Sequence, residues 1–245
     1  MTSEQIQKQQ TAGQVAHDFF EELNGFIKPG VNLLDIEALA AKRIAGAGLK
    51  PAFLGYKGYP AVTCISVNSA IVHGIPYSHQ LEEGDVVAVD IGINNDGWLV
   101  DTARTYGVGR ITDQHQKLLD TTKLALEQAI EVCCEGNTVG DIGATVAACV
   151  KAAGFAVVKE LSGHGVGKTL QEAPSIPNYG KPGTGPKLTS GMVIAVEPII
   201  AVKPVEVVIL QDGWTIAARE EVVSAHFEHT IAITESDPII LTKRL

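Results

Sequence analysis

Four acidic residues interrupt apolar, strand-like runs in this sequence. Asp90 closes Val86-Val87-Ala88-Val89, and Asp101 sits inside Trp98-Leu99-Val100-Asp101-Thr102-Ala103. Glu197 ends Val193-Ile194-Ala195-Val196 directly before Pro198, and Glu228 lies in Phe227-Glu228-His229-Thr230-Ile231. A buried acid is costly unless it is paired, protonated or bound to a cation. For any one of them an ordinary ion pair is a sufficient reading, but four together point to a metal. Between the two Asp, Asn94-Asn95-Asp96-Gly97 is a turn signal. With Asn95 and Asp96 as the loop residues, Asp90 comes directly opposite Asp101, about 5 Å away. Two like charges so placed repel, and a cation between them is the economical remedy, a solvated edge position for one Asp being the alternative. His164 stands in Ser162-Gly163-His164-Gly165-Val166-Gly167. The flanking glycines permit close backbone approach and leave the imidazole accessible, which suits a ligand, although a surface turn would have the same pattern.

Two Asp, two Glu and one His form an oxygen-rich set able to hold two divalent first-row ions, provided some carboxylates bridge. Such a pair binds water as hydroxide and polarises a carbonyl, so hydrolysis of an amide or a phosphoester is the expected chemistry. The donor types do not choose among Mn, Fe, Co and Zn.

The elements that must position these residues are laid out by a duplication. Leu81, Gly84, Val86, Ala88, Val89 and Asp90 recur as Leu188, Gly191, Val193, Ala195, Val196 and Glu197, an offset of 107. Upstream, Gly30, Asp35, Ile36, Ala41, Ala47 and Gly48 recur as Gly136, Asp141, Ile142, Ala147, Ala153 and Gly154, an offset of 106. Two copies are too few for a solenoid and predict two similar halves facing each other across one site. The spacing predicts helices over about 11–28, 33–47, 113–135 and 139–153, with Thr112 as an N-cap and Gly48, Gly136 and Gly154 as stops. Strands are expected over 62–67, 85–93, 98–105, 156–159, 192–200, 206–210 and 223–233, giving an α+β fold with mainly antiparallel sheet.

Composition narrows the function classes. The 245 residues carry 19 Lys+Arg against 28 Asp+Glu, a formal charge of −9, which disfavours nucleic acid or an anionic membrane as partner. No apolar run approaches the roughly 20 residues of a membrane span, and the first ten residues have no signal-peptide core. The four Cys, without a CxxC pair, read as reduced cytosolic thiols.

The segments Val72-His73-Gly74-Ile75-Pro76, Val89-Asp90-Ile91-Gly92, Asp101-Thr102-Ala103-Arg104-Thr105, Gly163-His164-Gly165-Val166-Gly167, Val196-Glu197-Pro198 and Phe227-Glu228-His229-Thr230 resemble the type I methionine aminopeptidases of bacteria, in order and spacing. The likeness runs from about residue 4 to 240. It implies the pita-bread fold, two pseudo-symmetric αβ halves around a curved antiparallel sheet, in a single catalytic domain over 1–245 with the repeat at about 11–107 and 117–233. It also implies removal of the initiator methionine from nascent chains with a small second residue, in the cytoplasm, by a monomer. Ribosome contact would be transient and made by the catalytic domain's own surface, with no sequence-specific nucleic acid and no membrane. By the same resemblance Asp90 and Asp101 bind one ion, Asp101 and Glu228 bridge, and His164 and Glu197 complete the second ion's shell. Glu197 is also the general base. His73 contacts the amide beyond the scissile bond, Tyr56, Tyr59, Cys64 and Trp214 line a side-chain pocket suited to a thioether, and Asn68 and Ser224 match a monovalent-cation site.

This chain departs from the family at four positions. Gln171 stands seven residues after His164, where a second His usually reaches the scissile carbonyl, and a Gln amide donates a hydrogen bond but carries no charge. Leu170 replaces a common aromatic, Phe53 a frequent Cys, and Lys57 a frequent His. Two further readings share the fold: a hydrolase of proline dipeptides, which usually has a long additional N-terminal domain, and a binding protein that has lost its chemistry.

Overall fold

The structure, a computed structural model, describes residues 2–243. Two helices open each half. Helix α1, Ser3–Phe26, is started by a capping box between Thr2 and Gln5. Its buried residues Ala12, Ala16, Phe19, Phe20 and Leu23 recur at helical spacing and face the sheet. The helix begins well before residue 11, because its first turns are held by polar groups that carry no apolar period. Buried Gln9, for example, donates from Nε2 to the carbonyl of Leu99 at 2.6 Å. Helix α2, Leu33–Gly46, is capped by Asn32. In the second half α3, Asp113–Glu131, is capped by Thr112 and stops short of Gly136, and α4, Val139–Ala153, has a capping box from Thr138 and Asp141 and ends at Gly154 with φ 83°.

The duplication is visible in backbone contacts. Asn32 bridges Gln80 and Thr138 bridges Lys187. The amide of Gly30 donates to Leu81 O at 2.7 Å, and that of Gly136 to Leu188 O at 3.0 Å. All strand pairs are antiparallel. In the first half Val86–Asn95 is central, flanked by Thr63–Val67, Lys50–Pro51 and Trp98–Gly107. In the second the order is Ile239–Ile240, His229–Ala232, Val193–Val196, Ser162–Gly165, Glu172–Pro177. Two three-stranded sheets, one of Ala156–Val157, Ile199–Ala201 and Ser224–His226, the other of Ala70–Val72, Val207–Ile209 and Ile216–Ala218, complete the fold. Apolar cores form between each helix pair and its sheet.

Three expectations are corrected. The hairpin register places Asn95 opposite Trp98, so the loop is Asp96-Gly97 and Asp101 faces Gly92 while Asp90 faces Ala103. Asp96 and Gly97 have φ of 50° and 85°, as a type I′ turn demands of both central residues, and Asp-Gly meets that demand better than Asn-Asp. Asp90 and Asp101 are therefore diagonal neighbours on one face, whose spacing is about 7–8 Å, and not a directly opposed pair. Each of the expected strands 192–200 and 223–233 is broken in two. The breaks fall at Glu197-Pro198 and at Phe227-Glu228, and the fragments pair across them, His226 with Ile199 and His229 with Val196. Proline has no amide to continue a ladder, so the strand changes sheet there.

Threonine side chains join the halves where the ladders do not. Thr230 Oγ1 accepts from the amide of Asp101 at 2.8 Å and donates to the carbonyl of the same residue at 2.7 Å. Thr105 Oγ1 does the same for His226, at 2.8 and 2.7 Å. Thr102 Oγ1 donates to Glu228 O at 2.8 Å, and the Glu228 amide donates to Ala103 O at 3.0 Å.

The C-terminal segment closes on α1, where a Cβ on Gly13 would lie 1.9 Å from Leu241 O. Helix propensity favours Ala over Gly by about 1 kcal/mol, whereas overpacking costs about 1–3 kcal/mol, so the clash should win. Gly13→Ala is expected to lower the urea midpoint, and Gly25→Ala, with no neighbour within 4 Å in the same helix, to raise it. A raised midpoint for both would mean that the segment is not seated on α1.

Candidate active site

One cavity of about 240 Å³ lies where the strand breaks meet the threonine seam. Asp90, Asp101, His164, Glu197 and Glu228 all line it, as do His73, Gln171, Tyr56, Tyr59, Cys64 and Trp214. Each half contributes. Asp90 and Asp101 come from the first hairpin, His164 from the strand Ser162–Gly165, and the two glutamates from the two breaks. His164 is thus in a strand and not a turn, and its glycines serve packing. A Cβ at Gly163 would lie 2.3 Å from Ala195 O, and one at Gly165 would lie 2.4 Å from Ala173 O.

Ligand-type atoms of Asp101, His164 and Glu228 fall within 4.8 Å of one another. His164 Nε2 is 3.8 Å from Asp101 Oδ2 and 3.5 Å from Glu197 Oε1. None of the four acids forms an ion pair with Lys or Arg among the described residues. Asp90 Oδ1, Asp101 Oδ1 and Glu228 Oε1 are buried without a hydrogen-bond partner. Orphaned acceptors on residues that line one cavity are what a divalent cation would satisfy, so the residues fit a metal.

Burial is the main force on every acid here. It holds Asp90, Glu197 and Glu228 well above the usual carboxylate range, and their mutual repulsion adds to it. Asp101 is pushed up to about 6 by burial, against the pull of His164 and the hydrogen bond from Asp90. His73, with a left-handed φ of 58°, is lowered by burial and by the charge of His164. A strained backbone held at a functional side chain is a recurrent way of aiming it.

The apolar end of the cavity adjoins the acids, since Cys64 pairs with Asp90 across the sheet. Tyr59 is the hub of this wall. Its ring stands edge-on to Trp214 at 5.1 Å and to Phe53 at 6.4 Å between centroids, and its hydroxyl lies 2.9 Å from Thr63 O and 3.0 Å from Gly74 O. Leu170 is buried in the same lining, whereas Gln171 and Lys57 are exposed at the mouth. Asn68 and Ser224 lie outside it. Asn68 donates to Asp85 Oδ1 at 2.8 Å and accepts from the Val86 amide at 2.9 Å, and Ser224 pairs with Ala201.

Sequence reasoning missed His226. It is 3 % exposed, lines the cavity and faces Glu197 and Glu228 at 3.6 and 3.7 Å. Burial, with the charges of His73 and His164, pushes it down to about 3. Its position two residues before Glu228 in a polar–apolar alternation of the sequence, Ser224-Ala225-His226-Phe227-Glu228, was the available signal.

Residues 7–235 match the model of metallopeptidase family M24. Methionine aminopeptidase 1 of Bacillus subtilis is 41% identical over 232 residues, 95% of this chain and 94% of that protein. The crystal structure of methionine aminopeptidase from Thermotoga maritima superposes with a TM-score of 0.97 at 40% identity, covering 100% of this chain and 98% of that one. The prolidase of Pyrococcus furiosus shares the fold, with a TM-score of 0.80 at 24% identity, and this chain covers 65% of it.

The raised carboxyls make stability of the metal-free fold depend on pH. Below about pH 4 both folded and unfolded chains hold these protons. Above it the unfolded chain releases them while the fold retains them, so stability falls as pH rises, through about 6 for Asp101 and further for the others. Each retained proton is worth ~1.4 kcal/mol per pH unit. Chelator-treated protein is expected to melt lower at pH 8 than at pH 5.5, and a divalent metal to restore the pH 8 value by binding the ionised acids. Equal melting at both pH values without metal would contradict this.

Proposed function

The chain belongs to metallopeptidase family M24, and on that premise we propose that it is a metal-dependent methionine aminopeptidase, acting on peptides whose second residue is small. The single observation that carries this reading is the adjacency of an aromatic-walled apolar pocket to the carboxylate cluster, through the Cys64–Asp90 pair. A substrate whose first side chain fills the pocket would have its first peptide bond at the acids.

Tyr59, Trp214, Cys64, Leu170 and Phe53 receive the methionine side chain, with Tyr56 at the edge, a lining that a polarisable thioether fits well. The cavity is smaller than the roughly 300–1,000 Å³ of drug-sized sites, which supports a single side chain and a small second residue. Asp90, Asp101, His164, Glu197 and Glu228 would hold divalent ions, two of them in our reading, with Asp101 and Glu228 shared. When bound, the ions polarise the scissile carbonyl and activate the attacking water. Glu197 accepts the proton of that water. His73, uncharged through burial, contacts the amide beyond the scissile bond, and Gln171 at the mouth donates an amide N–H toward the carbonyl. We further place the protein as a cytoplasmic monomer that meets nascent chains through transient ribosome contact. No helix among the described residues is long and apolar enough to cross a membrane.

Purified protein, stripped of metal and resupplied with Mn, Co, Fe or Zn, is expected to release Met from Met-Ala-Ser and to leave Leu-Ala-Ser intact. Asp101→Ala should abolish both metal binding and release. Loss of an oxyanion donor typically costs ~10²–10³ in rate, so Gln171→Ala should lower kcat by about that factor. No release with any of the four metals would overturn the reading, and full activity of Asp101→Ala would overturn its ligand set.

A further inference from the structure

His226 has no role in the ligand set above, yet its imidazole is buried in the same cavity. Its backbone is clamped by Thr105 Oγ1 through both N–H and C=O, and its strand pairs with Ile199 beside the Glu197-Pro198 break. Its Nε2 is buried without a hydrogen-bond partner. That atom sits 3.6 Å from Glu197 Oε2 and 3.7 Å from Glu228 Oε2, while Glu197 Oε1 is 3.5 Å from His164 Nε2. The carboxylate of Glu197 is therefore held between two imidazoles, and His226 spans the two glutamates.

An imidazole nitrogen facing two carboxylate oxygens is repelled if it presents its lone pair and attracted if it presents N–H. Both distances exceed the ~3.2 Å limit of a good N–H···O bond, but a shift of a few tenths of an ångström closes either one. Carboxylates that ligate metals are themselves usually held by an outer hydrogen-bond donor, and removing that donor weakens metal affinity about 10–100-fold. We propose that His226 is a positioning residue whose Nε2–H is shared between Glu197 Oε2 and Glu228 Oε2, fixing the orientation in which both acids meet the divalent ions. This rests on the metal-site reading above. His226 thereby ties together the two strand breaks, one delivering the general base and the other the bridging ligand.

The test is calorimetric titration of Co²⁺ into metal-free wild type, His226→Gln and His226→Leu, with Co-edge X-ray absorption on the loaded proteins. The Gln amide keeps an N–H donor, whereas Leu keeps only bulk. His226→Leu is expected to bind Co²⁺ about 10–100-fold more weakly than wild type. His226→Gln should stay within a few-fold of wild type and show the same number of imidazole ligands. Wild-type affinity in His226→Leu would overturn the proposal. So would a lost imidazole in His226→Gln, which would make His226 a ligand. Should His226→Leu fail to fold, His226→Ala, which also lacks an N–H donor, is read in its place: Co²⁺ binding about 10–100-fold weaker than in His226→Gln supports the proposal, and equal binding overturns it. Failure of wild type to bind Co²⁺, or unchanged binding by Asp101→Ala, would instead sink the metal-site reading itself.

Discussion

Four carboxyl groups enclosed in one small cavity, without a Lys or Arg ion pair among the described residues, set the terms for the whole molecule. Their burial raises every one of their proton affinities, and their repulsion would spread the strands that carry them. Such a cluster persists only where the surrounding structure over-determines its geometry or a cation neutralises it. The fold does the first and is arranged for the second.

The over-determination is concentrated in the seam between residues 101–105 and 226–230. These segments belong to different sheets, so no regular ladder joins them. Thr105 and Thr230 replace it, each hydroxyl both donating to and accepting from the backbone of a single residue across the gap. The two residues so clamped are His226 and Asp101, and Thr102 and Ala103 secure the backbone of Glu228 between them. The hydrogen bonds of this seam therefore hold the backbone of three residues that line the cavity, Asp101, His226 and Glu228. A buried hydroxyl with both functions satisfied is stabilising, and one left unsatisfied is costly, which makes the seam specific in register as well as strong.

Much of this was legible in the residues. The four helices, the duplication and the acids inside apolar runs each leave a periodic or compositional trace, and the repeat offsets reappear as the paired backbone contacts of Asn32 and Thr138. The motifs that resemble the aminopeptidases name five candidate ligands, and the structure gathers all of them into one cavity. Two kinds of feature were not legible. The hairpin register turned on whether Asn95-Asp96 or Asp96-Gly97 formed the loop, a difference of one residue that only positive φ at both positions settles. The breaks at Glu197-Pro198 and Phe227-Glu228 lie inside runs that read as single strands, since the fragments on either side are strand-like in composition while joining different sheets.

His226 escaped notice for the same reason. In a continuous strand a histidine between Ala225 and Phe227 reads as a buried side chain satisfied somewhere in the core. Once the strand is broken at Phe227-Glu228, its neighbours change. It meets Ile199, immediately beyond the matching break, and through that proximity the carboxylate of Glu197. The break thus converts two residues distant in sequence into partners at one carboxylate. The chemistry of this cavity depends on where strands stop as much as on which residues they contain. Pro198, which cannot donate to a ladder, is the one residue in either break whose type enforces that stop.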